Sequence, residues 1–261
     1  KHRGAVFQII DLPPVYSENI DDTPNGRSIM SLIRNSDLVL IIIDLTQDIE
    51  WQYSTLMKLL KNSRIIVDRR RPPIRFTRLS RGGIQIYGTN YTPFETEELI
   101  ELLRTMGINN CVLEISDYVD EEDIFNALDR STIFKNAFIV ATKIDMKISK
   151  DKMHELQSIA NNMTIIPTSA FLKIGRDNIG DAILKKLNLI RIWTRKNGVI
   201  ADRALVLPRG STVKDAAERI HSDFVKKFKF AVIERKSAKV KRFKVGLNFK
   251  LEDDDILSIY T

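Results

Sequence analysis

The chain has 261 residues, 43% hydrophobic and 29% charged, an ordinary globular balance that suits one large domain, or one medium and one small. No apolar run reaches membrane-spanning length, the single Cys111 excludes an internal disulfide or a Cys-based zinc cluster, and the scattered His2, His154 and His221 argue against a His metal site. The net charge of +7 is uneven: Arg203 to Thr261 carries 14 Lys+Arg against 8 Asp+Glu, so the preceding 202 residues hold only +1. A basic module on a near-neutral domain points to a polyanion partner, RNA above all.

The N-terminal KHRGAVFQIID is charged and then directly strand-like, with no signal-peptide pattern, so a reducing, cytoplasmic setting is expected. Ala5 to Ile10 is predicted as a short strand stopped by Pro13 and Pro14. Glu18 to Gly26 is a polar loop. Ile29, Met30 and Ile33 predict a helix over Arg27 to Arg34, closed by Asn35-Ser36. LVLIIID, residues 38–44, is a second buried strand, followed by a turn at Leu45 to Asp48 and an amphipathic helix over Trp51 to Leu60. Arg64 to Asp68 is a strand. The stretch from Arg69-Arg70-Arg71-Pro72-Pro73 through Ile74 to Arg78, Arg81-Gly82-Gly83 and Ile84 to Tyr87 reads as an inserted basic hairpin.

A helix is predicted over Phe94 to Met106, a strand over Cys111 to Ile115, and a helix over Asp120 to Leu128 whose first-turn acids suit the dipole. The apolar run from Ala137 ends in Thr142-Lys143-Ile144-Asp145. A helix follows at Ser149 to Ala160, a strand at Met163 to Pro167, and a helix at Ile179 to Leu187. This alternation predicts a parallel, doubly wound sheet. The pattern then changes, with a boundary near Leu189 to Arg195. Ile192 to Thr194 and Ala204 to Leu207 are strands around a turn at Asn197-Gly198. Ser211 or Thr212 caps a helix over Val213 to Ile220. Phe224 to Ile233 and Phe243 to Leu247 are strand-like, and the acidic turn Leu251 to Asp255 precedes a last strand, Ile256 to Tyr260.

Polar residues at the C-terminal end of a buried parallel strand lie where open α/β sheets place their ligands. Asp145 can accept from the ring N–H and exocyclic amine of guanine together, and the Lys143 stem can lie along the base. Thr168-Ser169-Ala170 supplies a second polar site after the next strand. The expected guanine-reading set is therefore Thr142, Lys143, Asp145, Ser169 and Ala170. Asp11 stands where a GTPase would place an Asp on Mg²⁺ through water, but the expected D-x-P-G reads DLPP. Pro14 has no N–H to offer a γ-phosphate and lacks the freedom of glycine. No G-x-x-x-x-G in the sequence is followed by the Lys and Ser/Thr of a phosphate loop; Gly83 to Gly88 and Gly175 to Gly180 both fail, which also excludes a permuted arrangement.

Taken in order, QIIDLPP, NSDLVLIIIDLT, RRPPIRFTRLSRGGIQI, NAFIVATKIDM and PTSA resemble the developmentally regulated GTP-binding proteins within the Obg-related GTPases. The basic tail is similar to the TGS domain of that family. It shows Gly210 to Asp215, Ile220-His221-x-Asp223-Phe224, Lys236-Ser237-Ala238, Val245-Gly246-Leu247 and the L-E-D-x-D-I run at 251 to 256. The resemblance implies part of a P-loop-GTPase-type parallel sheet with flanking helices over residues 1–190, carrying the inserted basic β-hairpin. A small α+β, β-grasp-like TGS domain is implied over 191–261.

The resemblance further implies a GTPase acting with ribosomes in translation, GTP or GDP and Mg²⁺ as cofactors, and a family-specific regulatory protein as partner, with no membrane and no DNA involved. The family's phosphate loop, first switch and inserted helical domain would precede residue 1, so this chain is expected to bind nucleotide weakly and hydrolyse little or nothing alone. Without those parts, exposed strand edges and apolar surface are also expected. The basic residues expected to meet rRNA are Arg69, Arg70, Arg71, Arg75, Arg78 and Arg81, with Lys226, Lys227, Lys229, Lys239, Lys241 and Arg242 in the tail. The alternative is a non-enzymatic adaptor, a degenerate G domain whose TGS module docks on RNA or on a regulator; Pro14 favours it. A tRNA-synthetase or stringent-response fragment that also carries TGS is excluded, because the guanine motifs precede the tail.

Overall fold

The computed structural model describes residues 1–147, 149–160, 162–235 and 241–261. The chain forms two compact units: Lys1–Pro14 with Leu40–Ile49 and Phe138–Thr261, and Val15–Val39 with Glu50–Ala137.

The parallel-sheet elements follow the periodicity of the sequence. Helix α1 (Gly26–Asn35) buries Ile29, Met30 and Ile33, and β1 is Leu38–Asp44. Helix α2 (Ile49–Asn62) leads to β2 (Ile65–Val67). After the three-stranded insertion described below comes the long β6 (Ile133–Thr142), the neighbour of β1, β2 and β7 (Ile165–Pro167). In the second unit β2 pairs in parallel with the start of β6, Ile65 opposite Ile133. In the first unit β7 pairs in parallel with its end, Ile139 opposite Ile165 and Ala141 opposite Pro167. Phe138, Ile139 and Ala141 are fully buried, as the apolar run demands. Helices α5 (Ser149–Ile159) and α6 (Arg176–Lys186) flank β7 in sequence.

One strand expectation fails. Ala5 to Ile10 forms no strand; only Ala5 makes an isolated bridge, to His2, and Val6, Ile9 and Ile10 are exposed. Extended apolar residues become a strand only when a ladder partner accepts from their N–H groups and donates to their C=O groups, and none does so among the described residues. Strand β1 is buried on one face only, with alternate side chains on opposite sides: Ile41 and Ile43 are inside, whereas Ile42 is 53% exposed.

The insertion in the second unit is not a hairpin. β3 (Ile74–Arg78) and β4 (Ile84–Tyr87) do not pair with each other; β5 (Cys111–Ile115) lies between them, antiparallel to β3 and parallel to β4. The CVLEI sequence explains the choice. Cys111, Leu113 and Ile115 all point into a core with Leu99 and Leu103 of α3 (Thr96–Thr105) and Ile124 of α4 (Glu121–Leu128), so β5 is the best-buried strand and takes the centre. Asp120 caps α4 by accepting from the Asp123 N–H.

The tail of the first unit is a mixed sheet gripping one helix. Its strand order is β10 (Leu205–Pro208), β8 (Leu189–Lys196), β13 (Ile256–Tyr260), β11 (Phe230–Glu234) and β12 (Arg242–Val245), with β9 (Val199–Ile200) folded back on β8 around Asn197-Gly198. Helix α7 (Val213–Ile220), capped by Thr212 and Asp215, packs Val213 and Ala216 onto Ile190, Ile192, Ala231, Ile233 and Leu257. The expected strand from Phe224 starts later, because Asp223–Lys226 winds into the short helix α8. The acidic turn before β13 is more than a turn. Fully buried Asp255 takes a two-point ion pair from Arg235 at 2.7 Å on each oxygen, and Asp253 takes another from Arg191 at 3.1 and 2.7 Å.

Candidate functional site

The end of β6 delivers Thr142 and Lys143 to the C-terminal edge of the sheet. Thr142 Oγ1 donates to the Ile43 carbonyl of β1 at 3.3 Å, and the Leu45 N–H donates to the Thr142 carbonyl at 3.4 Å. Lys143 has φ +62°, a left-handed backbone uncommon for a residue with a side chain, and its carbonyl accepts from the Met146 N–H at 3.1 Å. The turn so formed presents Asp145 to solvent, where its carboxylate makes no hydrogen bond or ion pair among the described residues.

Lys143 is held by a residue that the sequence reading passed over. Its ammonium lies 2.6 Å from Asp44 at the end of β1 and 3.5 Å from Thr46 Oγ1. Burial alone would raise the Asp44 pKa. Hydrogen bonds from Lys143 and from the N–H and O–H of Thr46 outweigh it and hold the carboxyl below its ordinary range. The signal was present, since Asp44 ends an apolar strand as Lys143 nearly does, but nothing local pairs residues so far apart in sequence.

The loop after β7 completes the edge. The Ile144 N–H donates to the Thr168 carbonyl at 3.2 Å, which ties the Lys143 turn to this loop. Thr168 donates back to the Ala141 carbonyl through both N–H and Oγ1. Ser169 is buried, bridges Ile174 in both directions, and accepts from the Leu172 N–H through Oγ at 3.0 Å; Ala170 is exposed at the rim. Gly175 fixes the exit of the loop at φ +90°, and a Cβ there would stand 2.4 Å from the Pro167 carbonyl oxygen. All five expected base-reading residues thus lie at one edge of one unit.

The other expected sites are placed differently. Asp11 and Pro14 sit exposed in unpaired, irregular chain, and no hydrogen bond joins Asp11 to the base-reading edge among the described residues. Among the described residues no group of three or more His, Cys, Asp and Glu side chains could hold a metal ion. Arg69 is already committed, at 2.9 to 3.1 Å, to Asp120, Glu122 and Asp123 around the start of α4. Its charge is thus matched by three carboxylates in this structure. Hydrogen bonds from Lys61 and Arg69 hold the Glu122 carboxyl below its usual range in that cluster.

Arg75 approaches Glu114 at 3.7 Å, while Arg70, Arg71, Arg78 and Arg81 are exposed and unpaired among the described residues. In the tail Lys226, Lys227 and Lys241 are exposed, Lys229 donates to the Thr261 carbonyl, and Arg242 approaches Glu234 at 3.5 Å. Lys239, like the Lys236-Ser237-Ala238 run, lies outside the described residues. Lys244, at the end of the same basic stretch, places its ammonium 3.8 Å over the Phe230 ring, itself stacked on Tyr260. No helix among the described residues is long and apolar enough to cross a membrane.

A parallel sheet with an Asp-bearing turn at its C-terminal edge, joined to a small mixed-sheet module, defines a nucleotide-site architecture, and comparison with known proteins agrees with that class. Residues 190–261 match the TGS domain, and residues 81–189 match the C-terminal region of the MMR_HSR1 domain. An uncharacterized GTP-binding protein of Methanocaldococcus jannaschii is 30% identical over 99% of this chain and 67% of its own length. A developmentally-regulated GTP-binding protein 2 homolog of Dictyostelium discoideum is 28% identical over 99% of this chain and 71% of its own. The Schizosaccharomyces pombe YchF GTPase structure aligns at 20% identity with a TM-score of 0.41, over 63% of this chain and 53% of that one. The chain belongs to the developmentally regulated GTP-binding protein family and carries that family's TGS domain.

Proposed function

We propose that this chain reads the guanine of GTP or GDP at the edge formed by Thr142, Lys143, Asp145, Ser169 and Ala170, and that it acts in translation at the ribosome. The observation that carries the reading is the unpaired Asp145 carboxylate, presented by a left-handed Lys143 whose ammonium is lashed to Asp44. A carboxylate has two acceptor oxygens and no donor, which complements the two N–H groups on guanine and repels the acceptor edge of xanthine. The Asp44 contact fixes the Lys143 ammonium at this edge, and its methylenes can cover a base.

The phosphate side is poor. The 261 residues contain no G-x-x-x-x-G-K-[ST], and Pro14 offers no N–H after Asp11, the candidate holder of Mg²⁺ through water. By itself this sequence binds nucleotide weakly and hydrolyses little. We assign residues 1–190 to the G domain and 191–261 to the TGS domain. The exposed Lys226, Lys227 and Lys241, beside Arg242, form its rRNA-facing surface, and a regulatory protein is the expected second partner.

Pro14, which offers no N–H after Asp11, favours a second reading, a non-enzymatic adaptor that docks the TGS module on RNA. Two titrations separate these readings. Saturation-transfer NMR with guanosine, inosine and adenosine tests the base site: guanosine transfer alone supports it, and equal transfer to all three retires it. Binding of a short rRNA hairpin across a salt series tests the tail; no binding at low salt removes the RNA role.

A further inference from the structure

In the second unit a cavity of about 220 Å³ lies between the start of β3, the C-terminal half of α4 and the start of β6. Phe76 and Phe134 supply apolar wall, and Arg71 and Arg130 supply two guanidinium groups from separate segments of chain. Neither arginine makes an ion pair or hydrogen bond among the described residues. The carboxylate that also borders the cavity does not answer them. Asp129 is 3.2 Å from Arg64 and accepts from the Ser131 N–H, Ser131 Oγ and Thr132 Oγ1. Asn126, also in the lining, has its amide nitrogen buried without a partner among the described residues.

Two cations facing one small cavity repel each other, and a buried donor without an acceptor is disfavoured inside a protein. Both defects are cured by the same kind of guest, a compact oxyanion that accepts from all three groups. Guanidinium forks match phosphate in geometry as well as charge. The volume suits a phosphate group with a few further atoms and falls below the ~300 Å³ at which sites for drug-sized ligands begin.

We infer that this cavity is a phosphate-binding site, held by Arg71, Arg130 and Asn126. It shares no residue with the base-reading edge and does not depend on that edge binding guanine. The phosphate can come from a free phosphate or phosphomonoester, or from the backbone of an RNA strand.

The test is a ¹H–¹⁵N NMR titration of the full 261-residue chain with inorganic phosphate, with a 5′-phosphorylated oligouridine and with the same oligouridine lacking the 5′-phosphate. A saturable shift of the Asn126, Ala127, Arg130 and Thr132 amides is expected. Arg71→Gln and Arg130→Gln should each weaken it by at least about tenfold. Arg104→Gln, an exposed arginine in the last turn of α3 and outside the cavity lining, should leave it unchanged. Asn126→Asp, which supplies a carboxylate of its own, should abolish it. Because Arg71 and Arg130 are exposed, unchanged thermal midpoints will show that the two Gln variants remain folded. A response that requires the 5′-phosphate or inorganic phosphate identifies a monoester guest; equal responses to both oligouridines identify the RNA backbone. No saturable shift at these amides with any ligand, or one that survives both arginine substitutions, overturns the proposal.

Discussion

The Asp255→Ala substitution tests how the tail module is held together. Asp255 is fully buried and takes Arg235 Nε and Nη2 at 2.7 Å each, with the Glu252 N–H as a third donor at 2.8 Å. Arg235 is itself nearly buried, with 13% of its side chain exposed. Removing the carboxylate leaves a desolvated guanidinium, and breaking a buried pair in this way costs about 3–5 kcal/mol. Glu252 stays 2.6 Å from Arg235 Nη1 and keeps part of the compensation, which sets the expectation near the lower end, about 3 kcal/mol.

Urea unfolding followed by Trp193 fluorescence reads the effect locally, because the Trp193 main-chain N–H donates to the Asp255 carbonyl at 2.8 Å and its indole N–H donates to the Asp254 carboxylate at 3.2 Å; Trp51→Phe removes the other reporter. With slopes of about 1–3 kcal/mol per molar urea, the midpoint should fall by roughly 1–3 M. The double replacement Arg235→Met with Asp255→Leu should restore most of the loss, since an apolar pair needs no counter-charge. A loss under about 1 kcal/mol for Asp255→Ala would show that the pair is solvated and the reasoning wrong.

Gly175→Ala should cost about 2–4 kcal/mol, from the left-handed backbone together with the clash on the Pro167 carbonyl, and should loosen the Ser169-Ala170 loop in hydrogen exchange. Gly83→Ala, at φ +76° with no heavy atom near the added carbon, should cost only about 1 kcal/mol on the same thermal scale. Acid unfolding gives a further check. Asp44 and Asp253 are depressed when folded, against the opposing effect of burial, by Lys143 with Thr46 and by Arg191 respectively. A depressed carboxyl gives stability that is whole above its unfolded pKa and is lost as pH falls through the folded one. Stability should therefore hold from neutrality to about pH 5 and then decline, and Asp44→Asn should remove part of that slope; an unchanged slope would mean that Asp44 is not held by Lys143.

Much of the fold was legible because its signals are local. The 3.6-residue spacing of Ile29, Met30 and Ile33, the capping residues Asp120 and Thr212, and the apolar run into Thr142 all act within a few residues of themselves. What failed depended on partners. Whether AVFQII becomes a strand is decided by a neighbour along its edge, and its own composition cannot supply one. Ile74 to Arg78 and Ile84 to Tyr87 are joined by a hairpin-like turn, yet the more deeply buried CVLEI separates them. At the base-reading edge the sequence marked Thr142, Lys143 and Asp145 but not Asp44, whose role arises only when β1 and β6 lie side by side. The same distance hid Arg191 and Arg235, which turn an acidic bend into the lock of the tail module.

The central claim, that Asp145 selects guanine, rests on a pattern of two acceptors. Asp145→Asn turns one acceptor into a donor, so the edge then complements xanthine, which carries an oxygen where guanine has its amine. Titration of wild type and variant with guanosine and xanthosine diphosphates measures this directly. Hydrogen bonds to a charged group are each worth about 1.5–3 kcal/mol, so the guanine-to-xanthine preference should shift by at least about a hundredfold toward xanthine. An unchanged preference would place the base elsewhere and contradict the account.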